Sequence, residues 1–131
     1  MAYKILVVDD ESATAFGLKA LMETEEVKVL TATSLQSAKR ILEREKVDVL
    51  LTDIRLTGTL GSEGLELLEF TKANYPDTRV ILMTGYGDPA VMEKAHKLGA
   101  DCYFEKPVEL GRLSETIWSF GVPNKLGGGN T

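Results

Sequence analysis

The feature of the sequence that most constrains its fold is a fivefold alternation of short apolar runs with segments of helical period. The apolar runs are typical of β-strands and occupy residues 4–8, 27–32, 47–52, 79–84 and 101–105. Those at 4–8, 47–52 and 79–84 are almost continuous in Val, Ile and Leu, which indicates strands covered on both faces. The run at 27–32 alternates apolar and polar residues, which favours the edge of a sheet.

The segments between these runs repeat apolar residues every three or four positions, as amphipathic helices do. The stripes are Leu18, Leu21 and Met22; Ala38, Ile41 and Leu42; Leu65 and Leu68 with Lys72; Val91, Ala95 and Leu98; and Leu110, Leu113, Ile117 and Phe120. The helix ends are marked by Ser12 before the first, Thr33 or Ser34 before the second, Gly64 and Pro76 around the third, and Asp88-Pro89 and Gly99 around the fourth.

Strands that alternate with helices imply a parallel sheet with right-handed crossovers and helices on both faces. The predicted fold is therefore α/β, a doubly wound five-stranded (βα)5 sandwich of three layers. A length of 131 residues suits one domain. We predict that this domain occupies residues 1–120, and that 121–131, with three consecutive glycines, is a flexible tail or truncated linker.

The charge balance excludes some classes of function. Twenty acidic and fifteen basic side chains give a net charge of −5, which argues against general nucleic-acid binding and against docking on an anionic membrane. The single cysteine, Cys102, fits a reducing compartment. The longest uninterrupted apolar run, Ile5 to Val8, is too short to span a bilayer, and no signal peptide opens the chain. We therefore expect a cytoplasmic protein.

Chemically active residues follow four of the five predicted strands. Asp9-Asp10-Glu11 follow the first, Asp53 the third, Thr84 ends the fourth, and Lys106-Pro107 follow the fifth. Open α/β sheets bind ligands at the carboxyl ends of their strands. Three aspartates, a hydroxyl and a lysine are therefore predicted to meet at one edge of the sheet.

Such a cluster suits a hard divalent cation with oxygen ligands, and Mg²⁺ in particular. A carboxylate beside a metal, a lysine and a hydroxyl are also the groups that phosphoryl transfer requires. Taken singly, each residue has an ordinary structural explanation, as a helix cap, a turn residue or an exposed lysine. Their coincidence at four strand ends favours a functional site. One Cys and one His without suitable spacing argue against zinc.

Three other residues receive structural interpretations. His96 lies opposite the apolar stripe of its helix and is predicted to be a solvated surface residue. Cys102 is predicted to lie in the core, and Trp118 to cover part of the fifth helix.

Four motifs, ILVVDDE, LLTDIRL, VILMTGYGD and LGADCYFEKP, stand in the order and spacing of a known family. From about residue 3 to 120 the chain resembles the receiver domain of two-component response regulators, the CheY-like family with its flavodoxin-like fold. The resemblance implies a phosphorylation switch rather than a turnover enzyme. A sensor histidine kinase would be the phosphoryl donor, and an output domain or target protein, for example one that regulates transcription, would receive the signal.

The resemblance assigns a role to each site residue. Asp53 matches the phosphoacceptor, Asp10 a direct Mg²⁺ ligand, and Asp9 a ligand acting mostly through water, with the backbone carbonyl of Arg55 and the Asp53 carboxylate completing the metal site. Lys106 matches the lysine that pairs with the phosphoryl group and is followed by a cis peptide. Thr84 matches the switch hydroxyl, and Tyr103 matches the aromatic residue that turns inward when Thr84 moves. Arg55 and Tyr86 match positions that tune loss of the phosphoryl group.

One segment departs from the family pattern. Thr57 replaces the usual proline, and residues 58–63 lengthen the loop before the third helix by about three residues. This departure is expected to leave the acidic cluster intact and to make the loop over the site looser.

Three other functions would require different residues in this sequence. A haloacid-dehalogenase phosphatase would carry Asp-x-Asp after the first strand. A flavodoxin-like electron carrier would have a Ser/Thr/Gly-rich phosphate loop at that place. A pseudo-receiver usually lacks a site acid or the lysine. The chain matches none of these expectations. Whether it is a free-standing receiver or the N-terminal domain of a larger regulator stays open, although 80–107 looks most like receivers of enhancer-binding activators. In either case the face of helix 4, strand 5 and helix 5 is expected to bind a target or a second copy.

Overall fold

A computed structural model describes residues 3–55, 63–85 and 89–123. Strands and helices alternate along the whole of this part of the chain. The strands are β1 (Tyr3–Val8), β2 (Val27–Ala32), β3 (Val49–Asp53), β4 (Arg79–Thr84) and β5 (Cys102–Glu105). The helices are α1 (Ser12–Met22), α2 (Leu35–Arg44), α3 (Glu63–Asn74), α4 (Pro89–Lys97) and α5 (Leu110–Ser119).

The five strands form one sheet in the order β2-β1-β3-β4-β5, and every neighbouring pair is parallel. The three predicted two-face strands are the central ones, and β2 lies at an edge as its alternation predicted. The register pairs Val8 with Thr52, Asp53 with Met83, and Thr84 with Glu105. The carboxyl ends of these four strands therefore meet along one edge of the sheet, called the carboxyl edge below.

Two hydrophobic cores lie on opposite faces of the sheet. Beneath α2, α3 and α4 the buried residues include Leu6, Val8, Leu50, Leu82 and Ala95. Beneath α1 and α5 they include Ile5, Val7, Leu51, Ile81 and Ile117. Successive residues of one strand enter opposite cores, because strand side chains alternate between the two faces. The predicted doubly wound α/β sandwich is confirmed.

The helix starts agree with the sequence in one case and differ in another. Ser34 caps α2 and forms a capping box with Ser37, since each side chain bonds the other residue's backbone N–H. Ser12 was predicted to cap α1 but is instead the first residue of that helix. Glu11 is the N-cap, and its side chain makes no capping hydrogen bond. The Asp9 carboxylate accepts the Glu11 N–H at 2.9 Å and fixes the chain there, so the helix begins after Glu11.

Two strands are shorter than predicted because aspartate side chains bind at their starts. The Asp48 carboxylate accepts the Lys4 N–H, and β3 begins at Val49 rather than residue 47. The Asp101 carboxylate accepts the Val80 N–H, and β5 begins at Cys102 rather than residue 101.

Four side chains can be compared with their predicted positions. His96 is exposed as predicted. Cys102 is only half-buried, contrary to the prediction, because β5 is an edge strand. Trp118 is 46% exposed on α5. Phe120, predicted as part of the fifth helical stripe, lies just beyond α5 and packs half-buried against the core beneath α1 and α5.

The described chain continues past α5 in packed form. Gly121 adopts a φ of +89°, a conformation that favours glycine, and turns the chain so that Val122 is buried beneath α1 and α5. The division of the chain at residue 120 stays a prediction. No helix within residues 3–55, 63–85 and 89–123 is long and apolar enough to traverse a bilayer.

Candidate functional site

Three aspartates meet at the carboxyl edge of the sheet. Asp9 and Asp10 directly follow β1, and Asp53 is the last residue of β3, the neighbouring strand. One carboxylate oxygen from each lies within 4.8 Å of the other two. Asp9 and Asp53 are buried, whereas Asp10 is exposed. The sequence prediction that strand ends bring these carboxylates together matches this geometry.

Asp9 is held on both carboxylate oxygens. Its Oδ1 accepts the Glu11 N–H at 2.9 Å, and its Oδ2 accepts from Lys106 Nζ at 3.1 Å. The residue has no solvent-exposed surface. A fully buried carboxylate is stable only when charged or polar donors compensate for lost water, and Lys106 and the backbone supply them here.

Asp53 is held in the same way by different donors. Its Oδ1 accepts the Arg55 N–H at 3.1 Å, and its Oδ2 accepts from Lys106 Nζ at 2.6 Å. The backbone behind it is packed against the start of α3, where Gly64 donates its N–H to the Ile54 carbonyl at 2.8 Å. The carboxylate is therefore fixed by the end of β3 on one side and by a lysine on the other.

Lys106 reaches the carboxylates from the far side of β4. It follows β5, and its backbone N–H donates to the Thr84 carbonyl at 2.7 Å. The Lys106-Pro107 peptide is cis, as the resemblance implied. Burial by itself would lower the pKa of the Lys106 ammonium, but hydrogen bonds to Asp53 and Asp9 outweigh burial and raise that pKa. Lys106 is therefore a cation within this site.

Negative charge remains in excess around Asp10. Partial burial raises the pKa of the Asp10 carboxyl group, and the negative charges of Asp9 and Asp53 raise it further. With all groups ionised, three carboxylates against one ammonium leave two negative charges unbalanced. These three residues could hold a metal ion, and an all-oxygen donor set fits Mg²⁺.

The remaining predicted site residues lie around this cluster. Thr84 is the last residue of β4 and is buried, between the strand that carries Asp53 and the strand that leads to Lys106. Tyr103, in β5, is half-buried and packs against the core beneath α2, α3 and α4. Arg55 directly follows Ile54 and is exposed. Tyr86 and residues 57–62 of the lengthened loop lie outside the described residues. Glu63, predicted as the last residue of that loop, is instead the first residue of α3.

One site contact was not anticipated from the sequence. The resemblance paired Lys106 with an incoming phosphoryl group, whereas the structure pairs its ammonium with Asp9 and Asp53 together. The sequence indicates this contact only indirectly, because three aspartates and a single lysine follow or end the strands that meet at this edge.

A family model described as the response regulator receiver domain matches residues 5–118. The chain belongs to this family, and the predicted receiver domain of a two-component response regulator is confirmed at that level. Response regulators take a phosphoryl group from sensor kinases and act on output domains.

Individual relatives are similar over nearly the whole chain. Response regulator protein PilR of Pseudomonas aeruginosa is 34% identical over 114 residues, which cover 87% of this chain and 25% of PilR. The chain thus spans about a quarter of the length of that relative.

Two solved structures are similar to the fold described above. A response regulator receiver domain protein from Clostridium thermocellum matches with a TM-score of 0.79 and 36% identity, over 90% of this chain and 93% of that chain. The beryllofluoride-activated NtrC4 receiver domain dimer matches with a TM-score of 0.74 and 31% identity, over 90% of this chain and 93% of that chain.

Proposed function

We propose that this receiver accepts a phosphoryl group on Asp53 from the phosphohistidine of a sensor histidine kinase, in a reaction that requires Mg²⁺. The observation that carries the proposal is the Asp53 carboxylate at the carboxyl edge, beside two further aspartates and 2.6 Å from the Lys106 ammonium. This arrangement offers a nucleophilic oxygen, an ammonium that balances phosphoryl charge, and carboxylates that could hold Mg²⁺.

In the proposed reaction, an oxygen of the Asp53 carboxylate attacks the phosphorus of phosphohistidine. The new O–P bond forms as the P–N bond breaks, and the electron pair of that bond leaves with the imidazole nitrogen, which is protonated. Lys106 pairs with the transferred phosphoryl oxygens, whose charge its ammonium is placed to neutralise.

The proposed metal ligands are the carboxylates of Asp10 and Asp53 and the backbone carbonyl of Arg55, with Asp9 acting mostly through water. When bound, Mg²⁺ would neutralise charge on the phosphoryl oxygens and on the attacking carboxylate. The three clustered carboxylates and their unbalanced negative charge support this assignment.

The proposed output is a conformational switch. An aspartyl phosphate adds negative charge at the edge, and the Thr84 hydroxyl would shift to meet it while Tyr103 turns inward. Thr84 ends β4, directly before the segment that leads to α4. Because phosphorylation biases this two-state element, we propose a signalling switch in the cytoplasm rather than a turnover enzyme.

The proposed target surface is the face formed by α4, β5 and α5. A groove of about 550 Å³ runs across it, lined by Met92, Tyr103, Glu109, Arg112 and neighbouring residues. Its charged side chains and exposed Met92 suit a protein partner, either an output domain or a second copy. A similar receiver structure is described as a dimer, which supports the second copy as one occupant.

The proposal is tested by incubating the protein with Mg²⁺ and acetyl phosphate and measuring its intact mass. We expect a single added phosphoryl group in the wild type and none in Asp53→Asn or without Mg²⁺. The matched control is Asp77→Asn, which removes the same charge from an exposed turn residue. This variant should be labelled like the wild type.

Two results would contradict the proposal. An adduct that persists in Asp53→Asn places the phosphoryl group elsewhere. Continuous release of phosphate at a high rate, without an accumulated adduct, favours a phosphatase.

A further inference from the structure

A buried hydroxyl group lies in β3 directly before the proposed phosphoacceptor. It belongs to Thr52, which has no solvent-exposed surface. The Cα partners of Thr52 in the neighbouring strands are Val8 and Leu82, and both belong to the core beneath α2, α3 and α4. Partners in neighbouring strands present their side chains to the same face of a sheet. The Thr52 side chain therefore lies among apolar residues of that core.

The hydroxyl is bonded to the main chain of the phosphoacceptor. Thr52 Oγ1 donates to the Asp53 carbonyl oxygen at 3.0 Å. Valine has the same branched shape as threonine and would bring no polar group that must be satisfied inside the core. Packing therefore does not require a hydroxyl at position 52. What the hydroxyl adds to the structure is its bond to Asp53.

This bond fixes one peptide unit from a second side. The Asp53 carbonyl and the Ile54 N–H belong to the same peptide, which is planar. The Ile54 N–H donates to the Met83 carbonyl of β4 at 3.0 Å. The peptide is thus held by β4 through its N–H and by Thr52 through its carbonyl, so its plane cannot rotate without loss of a hydrogen bond.

The held peptide begins a turn that carries two parts of the proposed site. The Asp53 side chain, the proposed nucleophile, leaves the main chain at the start of the turn. Arg55, whose carbonyl is a proposed Mg²⁺ ligand, ends it and donates its N–H to Asp53 Oδ1 at 3.1 Å. The Gly64 N–H donates to the Ile54 carbonyl at 2.8 Å between them. The orientation of the first peptide therefore sets the direction of the Asp53 carboxylate.

We propose that Thr52 is a positioning residue for phosphoryl transfer, whose hydroxyl fixes the Asp53 peptide and thereby the orientation of the Asp53 carboxylate. The inference rests on the proposed function, since it takes Asp53 as the phosphoacceptor. A nucleophile held in one orientation reacts faster than one that samples several, because less ordering remains to be done in the transition state. Loss of the hydroxyl should slow the chemical step and leave donor binding unchanged, because the buried Thr52 side chain does not reach the surface.

The test is the rate at which acetyl phosphate labels Thr52→Val at saturating Mg²⁺, followed by intact mass over a range of acetyl phosphate concentrations. We expect the maximal rate constant to fall about three- to tenfold, the effect of one hydrogen bond. The half-saturating concentration of acetyl phosphate should stay at the wild-type value. Thr52→Ser, which keeps the hydroxyl, should recover most of the rate.

Thr78→Val is the matched control. Thr78 is also buried, and its hydroxyl also donates to a main-chain carbonyl, that of Val47 at 2.8 Å. Thr78 directly precedes β4 and Val47 lies just before β3, so this bond lies at the opposite edge of the sheet from Asp53. The control removes the same kind of bond, and its labelling rate should equal that of the wild type.

A second readout requires neither a metal nor a phosphoryl group. Amide hydrogen exchange, measured by NMR on the metal-free chain, reports local opening of a peptide. Exchange at Ile54 should be faster in Thr52→Val than in the wild type, because the same peptide has lost the bond to its carbonyl. Thr52→Ser should restore the slow exchange, and Thr78→Val should leave it unchanged.

A labelling rate of Thr52→Val equal to that of the wild type overturns the inference, as does an equal loss of rate in Thr78→Val or a rate that Thr52→Ser does not recover. Thr52→Ala gives the same comparison if the valine variant does not fold. The proposed function fails separately: absence of labelling in the wild type rejects it, and the positioning role with it. Labelling of the wild type and of Thr52→Val at the same rate rejects only the positioning role.

Discussion

Gly64 sets how closely α3 approaches the proposed phosphoacceptor. A Cβ at this position would lie 2.1 Å from the Asp53 carbonyl oxygen and 2.5 Å from the Ile54 Cα. Both are backbone atoms, which cannot move aside as a flexible side chain can. The absence of a side chain at Gly64 is therefore what lets the helix start against the end of β3.

We predict that Gly64→Ala destabilises the protein by about 1–3 kcal/mol, the usual cost of overpacking. Gly17→Ala is the matched control, because a Cβ there would meet no atom within 4 Å in the middle of α1. That change should stabilise by about 0.5–1 kcal/mol through helix propensity. Urea unfolding followed by far-UV circular dichroism measures both, and an equal effect of the two variants would contradict the packing argument.

For single residues, the sequence predicts at which edge of the sheet a side chain lies better than it predicts which side chain it binds. Asp9, Asp10, Asp53 and Lys106 could be placed at one edge because each ends or follows a strand of a parallel sheet. The bond from Lys106 to Asp9 spans 97 positions in the chain and depends on strand order and register. No local pattern carries that information, so the bridging role of the lysine emerges only from the fold.

Among the secondary-structure elements, Asp101 joins three that are distant in sequence. Its carboxylate, directly before β5, accepts from Lys72 Nζ of α3 at 2.8 Å, from Arg79 Nη1 at 3.2 Å and from the Val80 N–H of β4 at 2.8 Å. The Lys72 ammonium also donates to the Thr78 carbonyl at 2.8 Å. This one residue therefore ties the end of α3 to the beginnings of β4 and β5.

The Asp101 network makes part of the stability dependent on pH. Burial alone would raise the pKa of this carboxyl group, but the Lys72, Val80 and Arg79 donors outweigh it and hold the pKa below the ordinary 3.8. A lowered carboxyl pKa in the folded state contributes stability above 3.8 that is lost as pH falls through the folded value.

We predict that Asp101→Asn lowers the free energy of unfolding by about 1–3 kcal/mol at neutral pH, because charged hydrogen bonds are lost. The difference from the wild type should shrink as pH falls below 3.8, where the wild-type carboxylate becomes protonated too. Urea unfolding across this pH range is the measurement, with the exposed Asp77→Asn as control. A difference that is independent of pH would show that the charge of Asp101 is not the cause.

The elements themselves were largely predictable because their signals are local. Apolar runs located five strands, and the three- and four-residue spacing located five helices. The errors lie at ends where a side chain from elsewhere intervenes, as Asp9 does before α1 and Asp48 does before β3. Such contacts depend on tertiary structure, and propensity alone does not reveal them.

For the whole molecule, the central strands couple the two cores. Ile81 and Leu82 are adjacent in β4 and fully buried, yet Ile81 packs beneath α1 and α5 while Leu82 packs beneath α2, α3 and α4. A cavity on either face therefore weakens the same strand. We expect the domain to unfold as one unit.

We predict that Ile81→Ala and Leu82→Ala each lower the free energy of unfolding by about 2–5 kcal/mol, whereas the exposed Met92→Ala changes it little. Urea unfolding should give the same midpoint by far-UV circular dichroism and by Trp118 fluorescence in every variant. A Leu82→Ala transition that leaves the Trp118 midpoint at the wild-type value would show that the two faces unfold separately.

The two edges of the sheet treat charge in opposite ways. At the amino ends of the strands, Lys4 pairs with Glu45 at 2.7 Å and Arg79 with Asp101 at 3.2 Å. At the carboxyl edge, the Lys106 ammonium pairs with both Asp9 and Asp53, and the Asp10 carboxylate lies beside them. Substitutions meant to stabilise this receiver are therefore better placed at the amino edge, because the carboxyl edge carries the proposed phosphoacceptor and metal ligands.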